Sequence, residues 1–405
     1  MRRKLIIVFL LITLLSGCTN KSIVNKYSSN LISSDESSSI LISSDSESTP
    51  SSSSSQSSST VISSAPKAVS QDKPNHKYDM LYPICVNEKY GFMDIKGNVI
   101  VEPQYDDAGD FSEGYARVSK EGLYGYIDLT GEIVIPLKYE DCGDFCNNLA
   151  TVIKNDLAGY INKSDELVID YMYLYASRFS ENIAMVSLPE EGYATSYIDL
   201  KGNIIATFNT LHCGEVHNGM IRVYASYYNL KGEEVFGDWF SRNGIVEHSP
   251  YDFSEGLSVY PVLKKEYWNT PDDKFNEIFY DWSNWEYVYR NTKGQKVLST
   301  YEDAESFSEG LAIVKKNGEY GVIDKTGKMI FKHSGLVSNC KSGYFVYKQD
   351  DKYGFVDKTG KEVITAQYDK VVKEFTDGLA YVSKGDVGMY IDKSGKVIWS
   401  EKLVD

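Results

Sequence analysis

From residue 90 onward the chain repeats one phrase. Tyr90-Gly91-Phe92-Met93-Asp94-Ile95-Lys96-Gly97 returns as Tyr124-Gly125-Tyr126-Ile127-Asp128-Leu129-Thr130-Gly131, as Tyr320-Gly321-Val322-Ile323-Asp324-Lys325-Thr326-Gly327 and as Tyr353-Gly354-Phe355-Val356-Asp357-Lys358-Thr359-Gly360. A second phrase follows in step: Phe111-Ser112-Glu113-Gly114, Phe253-Ser254-Glu255-Gly256 and Phe307-Ser308-Glu309-Gly310. Self-similarity at a fixed period marks a repeat architecture, in which one unit is too small to bury its own apolar face and is completed by its neighbours. The residue closing the first phrase falls at Gly97, Gly131, Asp165, Gly202, Gly232, Gly294, Gly327, Gly360 and Gly395, with gaps of 34, 34, 37, 30, 62, 33, 33 and 35 residues. The second phrase ends at Gly114, Asn148, Asn182, Gly219, Gly256, Gly310, Gly343 and Gly378. Asn and Asp are the residues that best tolerate φ > 0 in place of glycine, so both slots are expected to be left-handed.

Within a unit the apolar pattern has period two. Tyr115 to Ser119 alternates, Tyr124 to Asp128 alternates, and Glu132 to Pro136 is a short β-branched run, which together read as a three-stranded meander. The Asp-x-x-Gly corner fits a hairpin turn, with Asp accepting local backbone N–H groups and Gly taking the left-handed position. Pro103 and Pro136, lacking an N–H, are expected to end pairing after the third strand. Tyr105-Asp106-Asp107-Ala108 and its echoes form either a fourth, outer strand or an ordered loop. The expected fold is all-β: tandem units of about 34 residues, each a three- to four-stranded meander, arranged as a propeller-like toroid or open spiral, with a β-hairpin solenoid as the alternative.

The coupled Tyr-Gly strand, Ile-Asp-x-x-Gly turn and Phe-Ser-Glu-Gly-Leu-Ala tail resemble the bacterial WG (KWG) repeat over roughly residues 78 to 400. The chain departs from that pattern by using Tyr where the family often has Trp, and by losing the partner glycine at Ser196, Ser226, Val288 and Met389. The resemblance implies a β-repeat array with a binding or scaffolding role and no established chemistry. A weaker resemblance, to choline-binding wall modules, lacks their paired Gly-Trp and Trp-Tyr-Tyr pattern.

At the N-terminus, Met1-Arg2-Arg3-Lys4 is a basic n-region and Leu5 to Leu15 an apolar stretch too short for a stop-transfer helix. Leu15-Ser16-Gly17-Cys18 resembles a lipobox, which implies a signal peptide over residues 1–17 and diacylation of Cys18. The expected location is therefore the cell membrane, lipid-anchored and facing outside the cytoplasm. Residues 18–77 are then the lipidated cysteine and a Ser-rich linker, whose composition cannot bury enough apolar surface to order itself. Residues 78–405 form the repeat domain, with an irregular insert near 233–290.

The formal net charge of −15 sets an acidic chain against nucleic acid, anionic lipid heads and wall polyanions at long range, so no nucleic-acid partner is expected. Beyond Cys18 the cysteines are Cys85, Cys142, Cys146, Cys213 and Cys340, four of which fall where sister units carry Ala, Phe or Ser. They read as small buried thiols, with a Cys142–Cys146 bridge open if the loop bends. His212, Cys213 and His217 do not complete a zinc spacing, and no metal or cofactor is expected. The carboxylates Asp94, Asp128, Asp199, Asp324, Asp357 and Asp392, with Glu113, Glu255 and Glu309, recur with the repeat. A catalytic pair needs two carboxylates in different environments, whereas repeated positions have similar ones. No nucleophile elbow, zinc-protease helix or phosphate loop is present, so the chain is read as a non-enzyme.

Function is expected where the period fails. Gly232 to Gly256 spans 24 residues where sister units use 16 to 18, and Gly256 to Gly294 spans 38 where most use 17. The second stretch holds three of the five tryptophans. Trp268, Phe279, Tyr280, Trp282, Trp285 and Tyr287 are the candidate binding residues, facing a protein partner or a cell-wall glycan, with a packed mini-core under the loop as the plain alternative. A structural surface protein without a discrete ligand is the third reading.

Overall fold

The computed structural model describes residues 80–189, 192, 194–237, 250–267 and 281–403, all within the compact unit that spans 76–405. Nine antiparallel sheets follow one another along the chain, covering residues 82–105, 107–139, 141–173, 175–208, 220–236, 257–291, 303–332, 344–368 and 370–402. The second sheet shows the plan. A two-residue lead strand Asp107–Ala108 precedes the inner strand Tyr115–Lys120, the middle strand Leu123–Asp128 and the edge strand Ile133–Tyr139. The stretch read as either strand or loop is thus both, a short lead strand running into a loop.

Nine apolar cores lie among the described residues, and each is shared by two consecutive sheets. The last of them joins Tyr82, Ile84 and Met93 of the first sheet to Leu379 and Tyr390 of the ninth. The Tyr82 hydroxyl donates to the Asp377 carbonyl at 2.5 Å and the Tyr390 hydroxyl to the Pro83 carbonyl at 2.8 Å. The Cys85 N–H donates to the Glu401 carboxylate at 2.9 Å. The array therefore closes into a ring, a β-propeller rather than a hairpin solenoid. Every core described lies inside it and its ends are joined by its own residues, so the ring is a folding unit by itself.

Each part of the repeated phrases has a packing reason. The middle-strand aromatic of one sheet stacks on the Phe that opens the next turn: Tyr126 on Phe145 and Tyr160 on Phe179, both with ring centres 4.8 Å apart. Its hydroxyl also reaches a backbone carbonyl of the next sheet's lead segment, as in Tyr126 to Gly143 at 2.7 Å and Tyr197 to Gly214 at 2.6 Å. The tail turns are two-residue hairpins with both residues left-handed, for example Glu113 (φ 52) and Gly114 (φ 89), the type I′ geometry that matches strand twist. Asn148, Asp165 and Asn182 take φ 62, 63 and 66, as their substitution for glycine implies. Glu113 also reaches across to the next turn, where its carboxylate accepts the Asn148 N–H at 3.0 Å. Glu181, Glu255 and Glu309 do the same for Gly219, Gly310 and Gly343.

The glycine of Tyr-Gly answers a different need. At Gly125 a Cβ would sit 2.5 Å from the Ile135 carbonyl oxygen, and at Gly91 2.3 Å from that of Val101. The edge strand bulges into the middle strand at these points, shifting register between Tyr124 and Tyr126 and between Tyr90 and Phe92. Pro103 and Pro136 lie inside the edge strands at the bulge and do not end them, because a bulged residue needs no ladder N–H. Where the glycine is replaced, at Ser196 and Met389, that register shift is missing.

Gly125→Ala is therefore expected to cost about 1–3 kcal/mol, because backbone faces the added methyl and cannot yield. Ser196→Ala, at the same position of a sheet without the bulge, meets no such clash and loses only the hydroxyl bond to Thr207, so it is expected to cost about 0.5–1.5 kcal/mol. Urea unfolding of the two variants checks this; equal losses would refute the bulge explanation.

Candidate functional site opposite the turns

Strand direction gives the ring two unlike faces. The tail turns and the Asp-x-x-Gly loops share one, since the inner strand starts there and the middle strand ends there. The hairpins joining inner to middle strand point to the other. Most of these hairpins close in two residues, such as Asn317-Gly318 between Leu311–Lys316 and Glu319–Asp324. In the sixth sheet the inner strand Leu257–Leu263 and middle strand Trp285–Asn291 pair in unbroken register from Leu257↔Asn291 to Leu263↔Trp285, and residues 264–284 extend beyond them. The insert therefore lengthens one hairpin on the face away from the turns. The interruption between Gly232 and Gly256 leaves the edge strand Glu234–Phe236 at the end of that strand nearest the same face.

The base of the insert is ordered by its own hydrogen bonds. The Lys264 N–H donates to the Asn284 carbonyl at 3.0 Å, and Lys264 Nζ donates to the Ser283 carbonyl at 2.7 Å. Asp281 caps the 3-10 turn Trp282–Asn284 by accepting the Ser283 N–H at 2.9 Å. Of the six residues singled out from sequence, Trp268, Phe279 and Tyr280 lie outside the described residues. The other three separate. Trp282 is 56% exposed, Trp285 is 2% exposed, and Tyr287 is half-buried against the core that holds Tyr289 and Tyr301. Trp285 is buried at the start of the strand, Tyr287 packs on the regular core shared by the sixth and seventh sheets, and Trp282, in the turn before the strand, is exposed. Sequence spacing did not separate them, since the strand start at Trp285 is set by pairing with Leu263.

The repeated carboxylates are held in the loops. Asp324 Oδ1 accepts the Thr326 hydroxyl at 2.6 Å and the N–H groups of Thr326 and Lys328 at 2.9 and 3.1 Å. These bonds, the Thr326 hydroxyl foremost, hold its carboxyl below the usual range. Asp357 and Asp392 are held the same way by Thr359 and Ser394. Asn162, Asn229 and Asn291 occupy the same slot in other sheets and accept the same two backbone N–H groups.

A second charged cluster was not foreseen. Lys373 of the ninth sheet pairs with Asp110 of the second at 2.5 Å, reaching past the first sheet, so the lead segments converge at the middle of the ring. Arg117 stands 3.4 Å from Asp107 and 3.6 Å from Asp144. Burial lifts the Asp144 carboxyl against the pull of Arg117, although 44% of its side chain meets solvent. Lys373 and Asp110 become neighbours only when the ring closes, which no local pattern announces.

The five cysteines described are unbridged, with Cys142 and Cys340 buried. Burial pushes the Cys142 thiol up to about 12, so it is protonated. His212 stacks against Tyr224 with ring centres 4.9 Å apart. No helix among the described residues is long and apolar enough to cross a membrane.

Six stretches of the chain match the family model of the WG containing repeat: residues 90–124, 124–157, 159–188, 289–320, 320–353 and 353–387. No curated protein sequence matches. Among solved structures, the chain is similar to a crystal structure of "the eukaryotic initiation factor", with 10% identity, a TM-score of 0.50, and coverage of 80% of this chain and 96% of that one. This likeness shows the propeller fold alone. PorZ, a surface component of the type-IX secretion system of Porphyromonas gingivalis, aligns at 9% identity and a TM-score of 0.31 over 80% of this chain and 39% of that one.

Two measurements follow from this geometry. Trp285→Ala is expected to lose about 3–5 kcal/mol of stability and Trp282→Ala to stay within about 0.5 kcal/mol, by urea unfolding. In acid, the loop aspartates have folded pKa values below their unfolded ones, so their contribution is present above about pH 4 and is lost as pH falls through the folded values. Asp144 and Glu305, raised by burial, act in the opposite sense. The triple variant Asp324→Asn, Asp357→Asn, Asp392→Asn is expected to show a flatter fall in melting temperature between pH 5 and about pH 2.5. An unchanged pH profile would show that these bonds do not depend on charge.

Proposed function

Because this chain is a WG-repeat protein whose units close into a β-propeller, we propose that it is a lipid-anchored lipoprotein, tethered through Cys18 and facing outside the cytoplasm, whose ring is an interaction scaffold for a protein partner. The observation that carries the reading is the lengthened hairpin of the sixth sheet. It sets Trp282, an exposed indole, in the capped turn Trp282–Asn284 that leads into the strand beginning at the buried Trp285. Tryptophan offers a large contact area with few rotatable bonds to order, in keeping with its enrichment among the residues that dominate interfaces. The repeated Asp and Glu side chains are engaged by backbone N–H groups, which supports a binding role without catalysis. Diacylation of Cys18 supplies two chains, enough for stable attachment, and the Ser-rich residues between Cys18 and the ring act as the spacer.

The test compares the full chain with a variant in which residues 264–284 are replaced by Asn-Gly, the turn of the seventh sheet, and with Trp282→Ala. Partner capture from surface extracts is expected to drop by about thirtyfold or more in both, with unchanged melting of the ring. Equal capture moves the site to the regular surface, and retention on purified peptidoglycan that needs Trp282 replaces the protein partner by a glycan. Cys18→Ser is expected to move the chain from the detergent phase to the aqueous phase; a chain that stays in the detergent phase is not anchored there.

A further inference from the structure

The repeated units are references for one another, and on the face away from the turns two neighbours depart together. At the corner where an edge strand gives way to the next lead strand, regular units carry two acids: Asp106-Asp107, Glu140-Asp141 and Glu302-Asp303. The first of each pair accepts an N–H of its own sheet's inner hairpin, Asp106 from Glu121 at 2.7 Å, Glu140 from Asn155 at 2.8 Å and Glu302 from Gly318 at 3.0 Å. Asp369 does the same for Gly385 at 2.7 Å. The fourth and fifth sheets have Leu174-Tyr175 and Leu211-His212 at this corner. Their backbone keeps the regular pattern. The Leu174 N–H bonds Ser187 as that of Asp106 bonds Ser119, and Cys213 bridges Val223 as Ala108 pairs with Val118. Leu174, Tyr175 and Leu211 are 45, 50 and 55% exposed. Met172, exposed just before the corner, stands where sister edge strands have Gln104, Lys138 and Gln367. A leucine accepts no hairpin N–H, so the exchange gives up a bond and puts apolar surface in water without serving the sheet.

We propose that these acid-free corners of the fourth and fifth sheets are the contact through which two copies of the ring form a symmetric dimer. A twofold contact uses the same patch on both copies, so that residue i meets j and j meets i. With the axis between the two sheets, the fourth sheet of one copy lies on the fifth of the other, Leu174 against Leu211 and Tyr175 against His212. The same operation between the second and third sheets sets Asp106-Asp107 against Glu140-Asp141, carboxylate on carboxylate. A chain of formal charge −15 is repelled by its own copy wherever acidic corners meet, so loss of the acids is what a self-contact needs. A basic partner would have been served by keeping them. Glu190 and Glu191, in the fourth sheet's inner hairpin, lie outside the described residues. The twofold sets that hairpin against the fifth sheet, whose own hairpin is Tyr224-Ala225, and not against itself. The dimer rests neither on the lipid anchor nor on the partner read for Trp282, which belongs to the sixth sheet.

The ring, residues 78–405, is followed by sedimentation velocity. A shift from monomer to dimer mass, with nothing larger, is expected between about 1 and 100 μM. Leu174→Glu and Leu211→Glu together, which restore the acids of sister corners, are expected to weaken the dimer by at least about thirtyfold with unchanged melting. Ile133→Glu and Ile204→Glu together, at positions of similar exposure where edge strands begin on the turn face, are expected to leave it within about twofold. The pairing itself is read from mixtures. Leu174→Glu ring mixed with Leu211→Lys ring is expected to recover dimer that neither variant forms alone. One of its two cross-contacts becomes a carboxylate on an ammonium, and the other stays leucine on leucine. Leu174→Glu ring mixed with Leu174→Lys ring is expected to recover none. A ring that stays monomeric over this range, an assembly that grows beyond two copies, or an equal loss in the Ile133 and Ile204 variant overturns the proposal. So does a first mixture without rescue or a second mixture with it.

Discussion

Each sheet of the ring is finished by the next one, and the buried tyrosine hydroxyl is the clearest instance. Tyr126, Tyr160, Tyr197 and Tyr289 stand on middle strands with their rings in the core, and each phenol finds its acceptor in a backbone carbonyl of the following sheet, at Gly143, Ser177, Gly214 and Glu305. A phenol buried without a partner is costly, so the ring's interior can be occupied by Tyr only if the neighbour is present and in register. Burial raises these hydroxyls far above their ordinary range, which keeps them donors. The sheets therefore cannot be folded one at a time to full satisfaction, and the last must meet the first. Glu401, accepting the Cys85 N–H and the Tyr381 hydroxyl at once, is part of that seam.

Such mutual completion leaves little of the regular surface free to vary. The loop glycines lie under the edge strand of the preceding sheet, as Gly360 does against Phe331 and Gly97 against Ile398, and the tail glutamates hold the next turn. What the regular packing does not use is the lengthened hairpin of the sixth sheet, on the face away from the turns. It is a single irregular element bearing an exposed aromatic, whereas in the regular loops Asp and Gly fill the backbone role.

Much of this was written in the sequence because it is local. The left-handed slots were legible from Asn148, Asp165 and Asn182 standing in for glycine, since φ > 0 is a property of one residue. The aspartate corners were legible because a carboxylate two to four residues from its N–H partners needs no tertiary contact. The expectation for Pro103 and Pro136 failed where a bulge, a property of two strands, excused the missing donor.

The chain by itself determined the unit: its period, its turns, its alternation and the place where the period breaks. Tertiary structure alone decided closure into a ring, the glycine of Tyr-Gly as a point of backbone approach, and the division of neighbouring aromatics into a buried Trp285 and an exposed Trp282. It also brought Lys373 to Asp110. The physical reason is range. Turn chemistry acts over four or five residues and shows in any one copy of the repeat, whereas closure and the faces of a ring arise from contacts between residues about 300 positions apart.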